Sequence, residues 1–223
     1  MKINLVEHFY SLQGEPQSLG RPAYFLRFPG CNLKCTFCDT TYASRTEKGK
    51  MIELSTLLEK IMLYETKLIV ITGGEPLLRK RELLELHNFL PQDYIFEIET
   101  NGTQQPLWFT NKKREIRYNI SPKLNSSGNK LSSRYQPIIL NKFLENTDCI
   151  FKFVVKNNTD FKEVNKIVKQ LSIPKSLIWI MPEGKKDTLI KKHALKFIEE
   201  IKQKGYSLTP RLHIWLYGQK KGV

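Results

Sequence analysis

The alternation of short apolar runs with amphipathic stretches is the feature that most limits what this chain can fold into. AYFLRF over 23–28 reads as a strand. LSTLLEKIMLYE over 54–65 has helical periodicity with Ser55 as its expected N-cap, and KLIVIT over 67–72 is a buried strand broken by Gly73-Gly74. A helix over 81–90, a strand over 94–100 ending at Asn101-Gly102, and a strand over 116–121 stopped by Pro122 continue the pattern. Beyond a polar loop over 123–135, the sequence predicts a helix near 138–146, a strand over 150–155, a helix over 160–171, a strand over 177–181 and a helix over 188–204. The tail from Gly205 reads as partly extended at RLHIWLY. Strands alternating with helices in this way argue for parallel βα units and an α/β fold. With 223 residues and no internal repeat, low-complexity linker or break in composition, one domain over 1–223 is expected.

Four polar motifs punctuate the strands. Thr72-Gly73-Gly74-Glu75-Pro76, Glu99-Thr100-Asn101-Gly102, Ser121-Pro122-Lys123 and Met181-Pro182-Glu183-Gly184 each follow a strand at its C-terminal end. Any one of them could be a plain turn. Parallel α/β folds bind ligands at that edge, where loops vary while strands stay rigid. Four such loops therefore point to one shared site. The paired glycines would expose backbone carbonyls, and Glu75 would add a further acceptor for an ammonium group.

Cys31, Cys35 and Cys38 follow the first strand with the spacing CxxxCxxC. Three thiols this close are poorly placed for disulfides and well placed to wrap a metal, which implies a reducing compartment. A [4Fe–4S] cubane is usually held by four cysteines, so three leave one iron open. The alternative is a structural zinc ion, which wants four protein ligands. The remaining cysteine, Cys149, opens the apolar run IFKFVV and reads as core, while His8, His87, His193 and His213 are isolated.

The start, MKINLVEHFYSLQGEP, lacks the order of a secretory signal, and no apolar run reaches the roughly 18 residues of a membrane span. A cytoplasmic location with no membrane partner is expected. The net charge of +14 comes from lysines scattered along the chain, without a nucleic-acid-binding motif. It reads as a solvated surface that also attracts an anionic small substrate, with no nucleic-acid partner.

The cysteine spacing, followed in order by GGEP, ETNG and SPK, resembles the radical S-adenosylmethionine superfamily. That resemblance implies a partial (incomplete) parallel βα barrel of the radical S-adenosylmethionine type. It implies a [4Fe–4S] cluster on Cys31, Cys35 and Cys38, with S-adenosylmethionine bound through the open iron and cleaved to methionine and a 5′-deoxyadenosyl radical. The cofactor contacts it implies are Phe37 and Asp39 beside Cys38, Gly74 and Glu75 at the methionine amino group, Glu99, and Ser121, Pro122 and Lys123 at the ribose and carboxylate. The loop over 181–184 would close over adenine.

Within that superfamily, Phe9-Tyr10-Ser11-Leu12-Gln13-Gly14-Glu15, Pro22-Ala23-Tyr24-Phe25-Leu26-Arg27 and Asp39-Thr40 resemble the 7-carboxy-7-deazaguanine synthase family. The similarity runs from about residue 5 to the terminal RLHIWLYGQKKGV, and Pro16 stands where the family usually has glycine. The resemblance implies a lyase of queuosine and 7-deazapurine biosynthesis. Hydrogen would leave C6 of 6-carboxy-5,6,7,8-tetrahydropterin, the ring would contract with loss of ammonia, and return of the hydrogen would regenerate S-adenosylmethionine. Leu12, Gln13, Gly14, Glu15, Arg27 and Thr72 would bind the pterin, and Thr40 would hold Mg²⁺. The residue types suit these tasks: an arginine fork matches a carboxylate, and Mg²⁺ takes few protein ligands beside substrate oxygens. The plainer readings are a surface arginine on an edge strand for Arg27 and a helix cap for Asp39-Thr40. The family resemblance also implies a homodimer and a reducing partner such as flavodoxin or ferredoxin. The alternative activity is that of a radical activase acting on a partner protein.

Overall fold

The computed structural model describes residues 1–107, 114–145 and 148–223. The chain begins with strands β1 (Lys2–Leu5), β2 (Glu7–Leu12) and β3 (Pro22–Phe28), the cysteine loop, and a short helix α1 (Thr41–Ser44). Next come β4 (Lys50–Glu53), α2 (Leu54–Met62), β5 (Leu68–Gly73), α3 (Lys80–Phe89), β6 (Ile95–Thr100) and β7 (Ile116–Ile120). The second half runs α4 (Leu131–Arg134), α5 (Pro137–Leu144), β8 (Cys149–Val155), α6 (Asn158–Leu171), β9 (Ile178–Pro182), α7 (Asp187–Lys204), β10 (Ser207–Leu208) and α8 (Leu212–Tyr217). One sheet has the order β10-β9-β8-β7-β6-β5-β3-β2, and β1 pairs with β4 in a separate ribbon. Among the described residues, only the β2–β3 pairing in the large sheet is antiparallel. The sheet is not closed, in keeping with the expected incomplete barrel.

Period-two alternation decides what each strand gives to each face. Leu26, Ile71, Ile98, Ile120 and Phe153 point into the main core, together with Leu57 of α2, Leu83 of α3, Phe143 of α5, Phe161 of α6 and Phe197 of α7. The opposite face carries the chemistry. Arg27 is in register with Thr72, and Glu99 with Asn119. Lys152 and Val154 follow on β8, with Met181 beside Val154 on β9. Parallel strands therefore place side chains far apart in sequence in one row above a packed base of Ala23, Phe25, Leu68 and Val70.

Two local expectations are corrected. Ser55 lies inside the first turn of α2, and Glu53 occupies its N-cap position without a side-chain cap. The unforeseen β4 is the cause: its pairing with β1, Ile3 opposite Ile52, keeps the chain extended up to Glu53. The segment RLHIWLY is helical rather than extended. Its Leu212 N–H donates to the Gly14 carbonyl at 3.0 Å and its Ile214 N–H to the Arg211 carbonyl at 2.9 Å, so tertiary contacts override its strand-forming composition. The edge strand is β2, which leaves β3 and its Arg27 in the sheet interior, so the plainer reading of Arg27 as a surface residue on an edge strand falls away. The helix expected near 138–146 is α5, and residue 146 lies outside the described residues.

Candidate active site

Above the polar face lies a cleft of about 390 Å³. The cysteine loop forms one wall. Cys31, Cys35 and Cys38 all border the cleft, with Phe37, Asp39 and Thr40 among them. Donors surround the sulfurs: Asn129 Nδ2 lies 3.3 Å from Cys35 Sγ, and Leu33 N–H and Asn101 Nδ2 lie 3.4 and 3.9 Å from Cys31 Sγ. The hydroxyls of Ser44 and Thr40 are 3.5 and 3.8 Å from Cys38 Sγ. Burial pushes the thiols of Cys31 and Cys35 up. Thr40 occupies the N-cap position of α1, yet its side chain caps nothing. Cys149 is elsewhere, buried, with its thiol donating to the Phe143 carbonyl at 3.3 Å.

Among the described residues, no trio of His, Cys, Asp or Glu closes on a point as a single metal ion requires. A cubane instead takes one thiolate at each of three irons. Three thiols on one wall, with polar donors aimed at their sulfurs, fit such a cluster.

The GGEP loop holds the cysteine loop in place. Gly74 N–H donates to the Phe28 carbonyl at 3.0 Å and Glu75 N–H to the Gly30 carbonyl at 2.8 Å. A Cβ on Gly73 would collide with the Phe28 backbone, and one on Gly74 with the Gly30 carbonyl oxygen. The glycines are thus needed for backbone-to-backbone contact. Glu75 is fully buried and does not border the cleft. Its carboxylate accepts from Asn101 N–H at 2.7 Å, Thr100 Oγ1 at 2.8 Å and Leu77 N–H at 3.0 Å. It therefore ties the GGEP loop to ETNG. Burial pushes its pKa up despite these donors. Lys123 donates to the carbonyl and hydroxyl oxygens of Ser121 at 2.7 and 2.8 Å, and burial lowers its pKa. Ser121 and Lys123 border the cleft, whereas Pro122 does not.

The other wall is built from charge. Gln13 Nε2 donates to Glu97 at 2.6 Å and Glu99 at 3.2 Å, while its Oε1 accepts from Glu15 N–H at 3.2 Å. Thr72 Oγ1 donates to Glu99 at 2.7 Å. Glu15 is ion-paired with Lys152, and its other oxygen lies 3.6 Å from Arg211 Nε. Burial alone would raise the Glu15 pKa, but Lys152 and Arg211 outweigh it and carry it down to about 2. Arg211 also pairs with Asp39 and donates to the Gly184 carbonyl at 3.0 Å. Arg27 donates to Glu7 at 2.6 Å, and Tyr42 donates to the same oxygen at 2.6 Å.

Of the residues singled out from the sequence, the cleft gathers Leu12, Gln13, Gly14, Glu15, Arg27, Cys31, Cys35, Phe37, Cys38, Asp39, Thr40, Thr72, Gly74, Glu99, Ser121 and Lys123, leaving Glu75 and Pro122 behind its wall. Sequence reasoning missed Lys152, Arg211, His213 and Asn129. A lysine inside the apolar run IFKFVV was a legible signal for the first. The others carried none, because their meaning lies in which distant loop they reach.

Residues 25–121 match the family model of the Radical SAM superfamily. Together with the open parallel sheet and the cysteine loop at its strand ends, this makes the chain a radical S-adenosylmethionine protein, a class that carries a [4Fe–4S] cluster and uses S-adenosylmethionine. The chain is 32% identical over 223 residues to 7-carboxy-7-deazaguanine synthase of Pyrobaculum aerophilum, covering 99% of this chain and 97% of that one. It is 37% identical over 190 residues to the enzyme of the same name from Hyperthermus butylicus, covering 81% and 77%. The crystal structure of QueE from Escherichia coli superposes with a TM-score of 0.71 at 25% identity, covering 96% of this chain and 95% of that one. The chain belongs to the 7-carboxy-7-deazaguanine synthase family.

Proposed function

We propose that this chain is the lyase that contracts the ring of 6-carboxy-5,6,7,8-tetrahydropterin to 7-carboxy-7-deazaguanine with loss of ammonia. The observation that carries the reading is that the cysteine loop and the Leu12–Glu15, Arg27 and Thr72 face open into one cleft. Membership of the synthase family supports the same reaction.

Cys31, Cys35 and Cys38 would hold the cluster. The cluster and S-adenosylmethionine, when bound, would supply the one-electron chemistry that takes hydrogen from C6 of the substrate. The protein's own part is positioning. Phe37, Asp39, Gly74, Glu99, Ser121 and Lys123 border the cofactor side, and Glu75 and Pro122 hold that side from behind. Leu12, Gln13, Gly14, Glu15, Arg27 and Thr72 border the substrate side. Lys152 and Arg211 keep Glu15 ionised, so it can only accept hydrogen bonds from pterin N–H groups. Glu7 fixes Arg27 at the cleft, where its guanidinium would bind a carboxylate or carbonyl of the substrate.

The proposal extends to Mg²⁺ held with the Thr40 hydroxyl, to a single-domain chain acting as a homodimer in the cytoplasm, and to reduction by a flavodoxin or ferredoxin. No helix among the described residues is long and apolar enough to cross a membrane.

The test is anaerobic incubation of the reconstituted, reduced protein with the carboxytetrahydropterin and S-adenosylmethionine. Formation of 7-carboxy-7-deazaguanine is expected, and its absence would overturn the proposal. In the same assay Thr40→Ala should raise the Mg²⁺ concentration needed for half-maximal rate; an unchanged titration would remove Thr40 from the metal site.

A further inference from the structure

The loop over 125–129 lies in the polar stretch between β7 and α4, and it braces the cysteine loop from outside. Thr36 N–H donates to the Ser127 carbonyl at 3.0 Å, and Thr36 Oγ1 to the Ser126 carbonyl at 3.2 Å. Asn129 makes the only one of these contacts that ends on a sulfur. Its Oδ1 accepts from Lys34 N–H at 2.8 Å. A backbone N–H can only donate, so this bond fixes which end of the amide carries oxygen. The opposite end, Nδ2, is thereby directed at Cys35 Sγ at 3.3 Å. The same NH₂ group also donates to Ser127 Oγ at 3.2 Å and to the Ser127 carbonyl at 3.4 Å, which ties it to its own loop.

We propose that Asn129 is a positioning residue that sets the reduction potential of the cluster through its N–H···S bond to Cys35. The inference rests on the cluster assigned to Cys31, Cys35 and Cys38 above. Reduction adds one negative charge, which is shared with the ligand sulfurs. An N–H dipole aimed at a ligand sulfur stabilises the reduced form more than the oxidised form, which raises the potential. The site strengthens this effect, because Cys35 is buried and water competes poorly for its sulfur. Asn129 thus makes it easier for a physiological donor to load the electron that starts turnover.

The test is a redox titration of the reconstituted protein, followed by the electron paramagnetic resonance signal of the reduced cluster, without substrate or S-adenosylmethionine. Asn129→Ala removes the donor. Asn129→Asp keeps an acceptor for Lys34 N–H, and so keeps the brace, while removing the donor and adding negative charge. Both should be harder to reduce. At a fixed potential the reduced-to-oxidised ratio is expected to fall by about tenfold for Asn129→Ala, equivalent to ~59 mV for a one-electron couple. The fall should be larger for Asn129→Asp. Thr36→Val, which removes a brace of the same loop without touching a sulfur, should leave the ratio unchanged. Variants that titrate with the wild type would overturn the inference, as would an equal shift in Thr36→Val. Failure of both Asn129 variants to load iron would make the residue a scaffold and overturn it equally. If the wild type itself shows no iron–sulfur signal, the cluster assignment fails, and this role falls with it.

Discussion

The two walls of the cleft are built by different physics. The cysteine wall is fixed by backbone packed on backbone. Gly73 and Gly74 press against Phe28 and Gly30, and the buried Glu75 carboxylate stitches this layer to the ETNG loop. The opposite wall is fixed by charge: Glu15 with Lys152, and Arg211 reaching Asp39, Glu15 and the Gly184 carbonyl at once. The first kind of wall tolerates no added atom. The second adjusts to substitution but depends on every charge having its counterpart. A cluster site needs the former, since three ligands must be held at once, and a binding site for a charged heterocycle suits the latter.

Substitutions that attack each wall should therefore fail in different ways. The largest effect is expected from Gly74→Ala, whose Cβ would strike the Gly30 carbonyl. Displacing the cysteine loop should leave little iron bound after reconstitution, measured as iron per chain; near-wild-type iron would break the account of the first wall. Arg211→Ala should retain iron and lose activity. It leaves Asp39 without its ion-pair partner and removes a counter-charge of Glu15. Asp39 is partly exposed, so the effect should come mainly through Glu15 and the shape of the substrate side, and a fall in kcat/KM of roughly a hundredfold, about 2.7 kcal/mol of transition-state stabilisation, is expected. Parallel loss of iron would erase the distinction between the walls.

The third expectation concerns acid. The Glu15 pKa is depressed from 4.5 to about 2 in the folded chain, so the unfolded chain binds the proton more readily. Its contribution to stability is present above 4.5 and is lost as the pH falls toward about 2. Thermal midpoints measured across that window should fall less steeply for Glu15→Gln than for the wild type. Identical slopes would show that the pair with Lys152 adds nothing to folding. The smallest effect is expected from Cys149→Ala. Its thiol donates to the Phe143 carbonyl in the main core, away from the cleft. Iron content and turnover should match the wild type, with a loss of stability of about 1 kcal/mol in denaturant unfolding.

The placement of the motifs explains how much of the site was legible beforehand. CxxxCxxC, GGEP, ETNG and SPK are local, each lying on a strand end that its own apolar run announces. The order of βα units then brings them to one edge, so all four could be read as a single site. The role of Glu75 was less accessible. An acidic residue beside two glycines suggests an exposed acceptor, and only the packing of the neighbouring loop decides that Asn101 and Thr100 occupy it instead. The α8 segment was misread for a related reason. A run of isoleucine, tryptophan, leucine and tyrosine favours a strand in isolation, but among the described residues no sheet edge receives it, and the Gly14 carbonyl takes its first N–H instead.

Local sequence by itself determined the strand-and-helix alternation, the cysteine loop and the polar motifs, because each depends on residues within a few positions of one another. Only the tertiary structure decided that β2 takes the sheet edge, that the chain's end returns as a helix over Gly14, and that Lys152 and Arg211 meet Glu15. The contacts of Glu15 with Lys152 and Arg211 join residues more than a hundred positions apart. Their energy comes from desolvated charges brought into contact, and no local pattern records which charges will meet.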